Sequence, residues 1–184
     1  MTEIADRYRR LSAAVAATLE RVPADGWTAA TPCEEWTVRD LVGHLVDTQG
    51  MFLGFVGRRP TDLPSVEHDP VAAFAAATGA VQADLDDPSR AATEFDGFTG
   101  RTTFEQSVDR FLCFDLVVHG WDLGRATGQD EHLAPDDIVR VSAFAASMSE
   151  SLRTSGVCGP ALDPPDGADE QTQLLALLGR RAWA

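Results

Sequence analysis

Asp115 and His119 stand four residues apart in the run Phe111-Leu-Cys-Phe-Asp-Leu-Val-Val-His119. An α-helix places residues i and i+4 one above the other on a single face. That face is the stripe Phe104, Val108, Phe111, Leu112, Asp115, Val118, His119 and Asp122, whose 3.6-residue period predicts that it points inward. An ionised carboxylate in such surroundings is costly unless a cation or hydrogen-bond donors satisfy it. Its neighbour one turn on is histidine, the commonest metal ligand, and two ligands a helical turn apart can converge on one ion. A third candidate is His44, on a second predicted inward face made of Leu41, His44, Leu45, Thr48, Met51, Phe52 and Phe55. Two histidines and one carboxylate would leave positions on a divalent ion open to water or substrate. The plainer alternative is that Asp115 and His119 hydrogen-bond each other and His44 is a separate core histidine. Asp47 and Asp122, each three residues after a histidine, are rival ligands or groups that orient the imidazoles. His68 and His132 lie in acidic polar stretches and read as solvated.

Helices must carry these residues. Tyr8, Leu11, Val15, Leu19 and Val22 recur every three or four residues and predict a first helix from about residue 3 to 21. Thr37 with Asp40 predicts the capped start of a second helix, running to about Gly57. Asp69-Pro70 opens a third, to about Asp86. Between Ala91 and Thr103 the helical period is lost, and Phe95 to Gly100 fits either an irregular loop or a small hairpin. Thr103 with Gln106 opens a long helix to about Thr127, stopped by Gly128. Pro135 starts another to about Thr154, and a Gly/Pro-rich connection from Gly156 to Gly167 leads to a short helix ending near Gly179. The expectation is an all-α fold, four or five long antiparallel helices in one bundle with a small C-terminal helix, as a single domain over residues 1–184.

Composition excludes several function classes. The chain has 184 residues, of which 44% are hydrophobic, enough for one ordinary core. Its formal net charge of −14 repels phosphate backbones and disfavours nucleic acid as a partner. All 15 basic residues are arginine, so lysine Schiff-base and P-loop lysine chemistry are ruled out. No apolar run is long enough for a membrane span and no signal pattern opens the chain, so no membrane partner and a cytoplasmic location are expected. Cys33, Cys113 and Cys158 match neither a disulfide framework nor a zinc-finger pattern. Cys113 reads as a small core residue, about 200° round the helix from Asp115. Cys33 follows a proline in a loop and reads as an ordinary thiol, with reactivity the less favoured option.

Two longer segments carry a resemblance. They are Thr31-Pro-Cys-Glu-Glu-Trp-Thr-Val-Arg-Asp-Leu-Val-Gly-His44-Leu and Asp115-Leu-Val-Val-His119-Gly-Trp-Asp-Leu-Gly-Arg-Ala-Thr-Gly128. With these, the chain resembles the actinobacterial DinB-like proteins, and more closely the metal-binding domain of mycothiol-dependent maleylpyruvate isomerase and its uncharacterised relatives. The likeness extends to the closing Leu174-Leu-Ala-Leu-Leu-Gly-Arg180. It implies a DinB/YfiT-like four-helix bundle holding one divalent metal ion, zinc first and nickel as the alternative. The family's first ligand falls on His44, and its carboxylate-x-x-x-His pair on Asp115 and His119. Relatives of known activity resemble thiol S-transferases that use mycothiol or bacillithiol. The isomerase carries Glu where this chain has Asp115, and a further C-terminal domain that is expected to be absent here, which argues against maleylpyruvate isomerisation itself.

Three functions follow from these expectations. The first is a mycothiol-dependent S-transferase-like enzyme, whose partners are a small-molecule thiol and an electrophile. The second is a metal-dependent hydrolase with Asp47 or Asp122 as base. The third is a non-catalytic stress or structural protein whose metal sits within a homodimer. Thr48, Met51, Arg39 and Arg125 are candidates for lining a pocket or holding a cofactor, with core packing or a solvated helix face as the plainer role of each. Trp27, Trp36 and Trp121 read as packing anchors. The acidic segments 84–87 and 166–170 read as solvated helix ends.

Overall fold

A computed structural model of the chain describes residues 2–148 and 159–183. The chain divides into two compact units, Met1–Asp130 and Glu131–Ala184. Four long helices build the first unit: α1 (Glu3–Leu19), α2 (Val38–Phe55), α3 (Pro70–Asp86) and α6 (Cys113–Thr127). Each of α1 and α2 packs against both α3 and α6, which closes a four-helix bundle. Short α4 (Pro88–Ala91) and α5 (Phe104–Ser107) flank a hairpin of β1 (Glu94–Gly97) and β2 (Gly100–Thr103). The all-α expectation holds, and the segment that fitted loop or hairpin is a hairpin. Its register pairs Glu94 with Thr103 and Gly97 with Gly100, and Gly100 takes the left-handed φ of 102° that the tight turn needs.

Local chemistry starts the helices where the sequence placed them. Thr37 accepts from the Asp40 amide, and the Asp40 carboxylate accepts from the Thr37 amide, a complete capping box. The Thr37 hydroxyl, which donates to the Asp40 carboxylate, and then the Thr37 amide hold that carboxyl below the ordinary aspartate range. Thr103 and Gln106 form the second box, and Asp69 caps α3 ahead of Pro70. Gly128, at φ 66°, ends α6.

The bundle's apolar centre contains one polar pair. Tyr8 Oη donates to Gln49 Oε1 at 2.7 Å, with both side chains fully buried. Burial, and secondarily the neighbouring Cys113, pushes the Tyr8 hydroxyl well above its ordinary range, so it stays a donor. Gln49 Nε2 has no hydrogen-bond partner among the described residues. Tyr8→Phe is therefore expected to strand the whole Gln49 carboxamide and to destabilise the fold by about 1–3 kcal/mol. The check is a lower urea midpoint at unchanged slope; an unmoved midpoint would show that the pair contributes nothing.

Three expectations need correction. The helix over 103–127 is not uniformly α: Val108–Leu112 form a π turn, with the Cys113 amide bonded to the Val108 carbonyl. The extra residue widens that turn, and Phe111 within it lies only half-buried while Phe104, Val108 and Leu112 of the expected stripe are buried. On α2 the buried stripe is Val38, Leu41, Val42, Leu45, Val46, Gln49, Phe52 and Leu53. Met51 and Phe55 are exposed, and His44 sits roughly 140° round the helix from the centre of that stripe. Asp84, finally, is not a solvated helix end. It is buried between Arg58 Nε at 2.6 Å and Arg90 Nη1 at 3.0 Å.

In the second unit α7 (Pro135–Ser147) packs on α8 (Glu170–Leu177). Gln171 ties the segment before α7 to α8, accepting from the Leu133 amide and donating to the Glu131 carbonyl. Gly179, at φ 80°, lies so close to Gly159 that a β-carbon would meet its backbone at 3.0 Å. The expected continuation of α7 to Thr154, and Cys158, fall outside the described residues.

Candidate metal centre

His44 and Asp115 meet across the α2–α6 contact. His44 Nε2 lies 3.4 Å from Asp115 Oδ2, with side-chain exposures of 29% and 17%. His119, one turn beyond Asp115, completes a set whose ligand atoms all lie within 4.8 Å of one another. The structure thus brings together all three residues that the sequence singled out. They gather on the flank of the helix pair and not, as expected for His44, in the apolar core.

The donor geometry fits a metal ion better than a hydrogen bond. His44 Nε2 is buried and has no hydrogen-bond partner among the described residues. Two N/O ligands at zinc bond lengths of about 2.0–2.1 Å in a tetrahedron are separated by about 3.3–3.4 Å. The observed 3.4 Å is that separation. Two carboxylates, Asp115 and Asp122, beside the two imidazoles also make a field that favours a cation.

His119 is held from behind. Its Nδ1 lies 2.9 Å from Asp122 Oδ2, and the Asp122 side chain is completely buried. A carboxylate on Nδ1 selects the Nδ1–H tautomer and leaves Nε2 as the donor for a metal, the usual way a ligating histidine is oriented. Asp122 is therefore the orienting carboxylate. Asp47 is exposed and belongs to neither ligand cluster.

Two further residues reach the site from the loop before α2, and sequence reasoning gave them other roles. A β-bridge between Ala30 and Thr37 closes this loop. Inside it the Thr31 amide donates to the Trp36 carbonyl, the Thr31 hydroxyl bonds the carbonyls of Cys33 and Trp36, and Glu35 is held at φ 65°. A non-glycine residue in that region is strained, and such strain concentrates at functional loops. The loop lays the Trp36 ring 4.9 Å from His44 and 6.1 Å from His119, centroid to centroid. Trp36 is a wall of the site, not only an anchor. Cys33 Sγ lies 3.3 Å from Asp122 Oδ2 and 3.8 Å from His119 Nδ1. Both stand in the Thr31–Leu45 segment that carries the family resemblance, but nothing in that segment says which way either side chain points.

The remaining candidates lie elsewhere. Arg39 stacks over Trp27 and bonds the carbonyls of Val66 and Glu67, so it fastens a loop. Thr48 returns its hydroxyl to the His44 and Leu45 carbonyls. Trp121 is buried. His68, His132 and Arg125 are exposed. Cys113 is buried in the bundle and outside both clusters, as expected. No helix among the described residues is long and apolar enough to cross a membrane.

Comparison with known proteins places these features in a family. Residues 8–124 match the model of the mycothiol maleylpyruvate isomerase N-terminal domain, more than half of the chain and all of the residues gathered at the site. Two uncharacterized proteins of Mycobacterium tuberculosis, from strains CDC 1551 / Oshkosh and ATCC 25618 / H37Rv, are each 31% identical over 175 residues. The match spans 94% of this chain and 95% of each relative. No solved structure matches the chain.

Proposed function

The chain belongs to the family of the mycothiol maleylpyruvate isomerase N-terminal domain, a mycothiol-associated, metal-binding helical domain of DinB type, and from that premise we propose that it is a mycothiol-dependent S-transferase-like enzyme using one divalent ion held by His44, Asp115 and His119. Zinc is the ion first in line, with nickel second. The observation that supports this reading is the buried Nε2 of His44, which has no hydrogen-bond partner among the described residues and lies 3.4 Å from Asp115 Oδ2.

An ion in this position, when bound, supplies a Lewis acid that lowers the pKa of a thiol and holds the thiolate. The chain's own residues do the rest. His44 and Asp115 keep part of their surface open, so a small thiol and an electrophile can approach from the flank of the α2–α6 pair. Trp36 closes one side over the imidazoles and keeps water from it. Asp122 holds the proton on His119 Nδ1 and so fixes the ring. The hydrolase alternative loses its two candidate bases, because Asp47 is exposed outside the site and Asp122 is engaged with His119.

The test is consumption of mycothiol by the full-length protein in the presence of a model electrophile. Thiol loss is expected to exceed the protein-free rate, to vanish with chelator and to return with added zinc or nickel. Loss of thiol no faster than without protein, for metal-loaded samples and a panel of electrophiles, would overturn the transferase reading.

A further inference from the structure

We propose that Cys33, His119 and Asp122 form a second cation position that shares the His119 ring with the first and takes a borderline or soft divalent ion such as zinc or cadmium. Their ligand atoms also lie within 4.8 Å of one another. Sγ to Nδ1 is 3.8 Å, Sγ to Oδ2 is 3.3 Å and Nδ1 to Oδ2 is 2.9 Å. Tetrahedral zinc with one sulfur ligand needs edges of about 3.6 Å to sulfur and about 3.3 Å between nitrogen and oxygen. Each observed edge is within about half an ångström of its target. The set is built around a fully buried carboxylate, while Cys33 is half-buried and gives an ion a way in.

Without an ion, the same three residues form a hydrogen-bonded triad. The Cys33 thiol donates to Asp122 Oδ2, and His119 Nδ1–H shares that oxygen. An ion held there would displace the thiol proton to solvent and face a thiolate, a carboxylate and His119 Nδ1. With the first position empty the ring proton would move to Nε2, and only with both positions filled would it too pass to solvent. Chemistry separates the positions, because the first offers only nitrogen and oxygen and the second adds sulfur, which favours softer ions.

Cadmium titration of the metal-free, full-length protein tests this, because thiolate-to-cadmium charge transfer absorbs in the near ultraviolet and imidazole or carboxylate ligation does not. The expected result is thiolate absorption together with a rise of bound cadmium from one to two ions per chain. Cys33→Ser should lose the absorption and the second ion and keep the first. The double variant His44→Ala, Asp115→Ala should lose the first ion and keep the absorption. Saturation at one ion without thiolate absorption would overturn this second position and leave the first standing. Absorption that survives Cys33→Ser would also overturn it, since Cys113 or Cys158 would then be the source. One ion per chain carrying Cys33-dependent absorption would uphold the second position and overturn the His44 ligand set.

Discussion

Replacing any one of His44, Asp115 or His119 by alanine is expected to remove the zinc or nickel ion that these three hold, lowering bound metal by at least one ion per chain, with the helical bundle still folded. The two halves of that expectation have separate physical causes. Three ligands are the fewest that hold zinc in an open site, so losing one removes most of the binding free energy. For His44 and Asp115 the fold survives because neither helix depends on these side chains, whereas His119→Ala also takes a partner from the completely buried Asp122 and is expected to lower stability as well. α2 is started by the Thr37–Asp40 box and packed through Leu41, Leu45 and Phe52, while α6 is buried through Leu116, Val117, Val118 and Leu123. Both His44 and Asp115 lie on the flank, where alanine leaves no closed cavity. Elemental analysis of protein purified without chelators, beside circular dichroism, measures both halves. Full metal in any two of the three variants would refute the ligand set. Asp115→Glu keeps a carboxylate with a longer reach and is expected to retain the ion.

Asp122→Asn is expected to weaken metal binding about 10- to 100-fold, the usual effect of removing a histidine's orienting carboxylate. The carboxamide is nearly isosteric but carries no charge, and it can present a donor where Asp122 Oδ2 now accepts at 2.9 Å from His119 Nδ1. His119 would then lose the bias toward its Nδ1–H tautomer and the charge that makes Nε2 a better donor. Competition with a chromophoric chelator reads the affinity directly. Equal affinity in Asp122→Asn and the parent protein would show that the ring is oriented by its packing alone. Asp47→Asn is the control, and no change is expected from that exposed position.

Much of this protein is local in origin and therefore legible along the chain. Helix starts depend on a cap and the residue three places on, and Thr37 with Asp40, Asp69 with Pro70, and Thr103 with Gln106 all act where the sequence places them. The Asp115–His119 pair is likewise a property of one helical turn, which no packing can separate. The long segments around His44 and Asp115 also identified the family, and with it the bundle.

What the chain could not say concerns rotation and long-range approach. An apolar period fixes a face only when one stripe stands out. On α2 two overlapping stripes, one with Met51 and Phe55 and one with Val42, Val46 and Gln49, compete, and contact with α3 and α6 selected the second. That choice turned His44 from the core to the flank, where an ion can be reached by a substrate. The π turn at Val108–Leu112 is a second such case, since nothing in a capping box or an apolar period marks one extra residue. Cys33 and Trp36 are the third. Their distances in sequence from His119 are large, and only the bridged loop Ala30–Thr37 docked on α2 and α6 delivers them. The sequence by itself determined the helices, the types of the candidate ligands and the pair on α6. Tertiary packing decided which way each helix faces, and so which third candidate ligand, which aromatic ring and which thiol surround that pair.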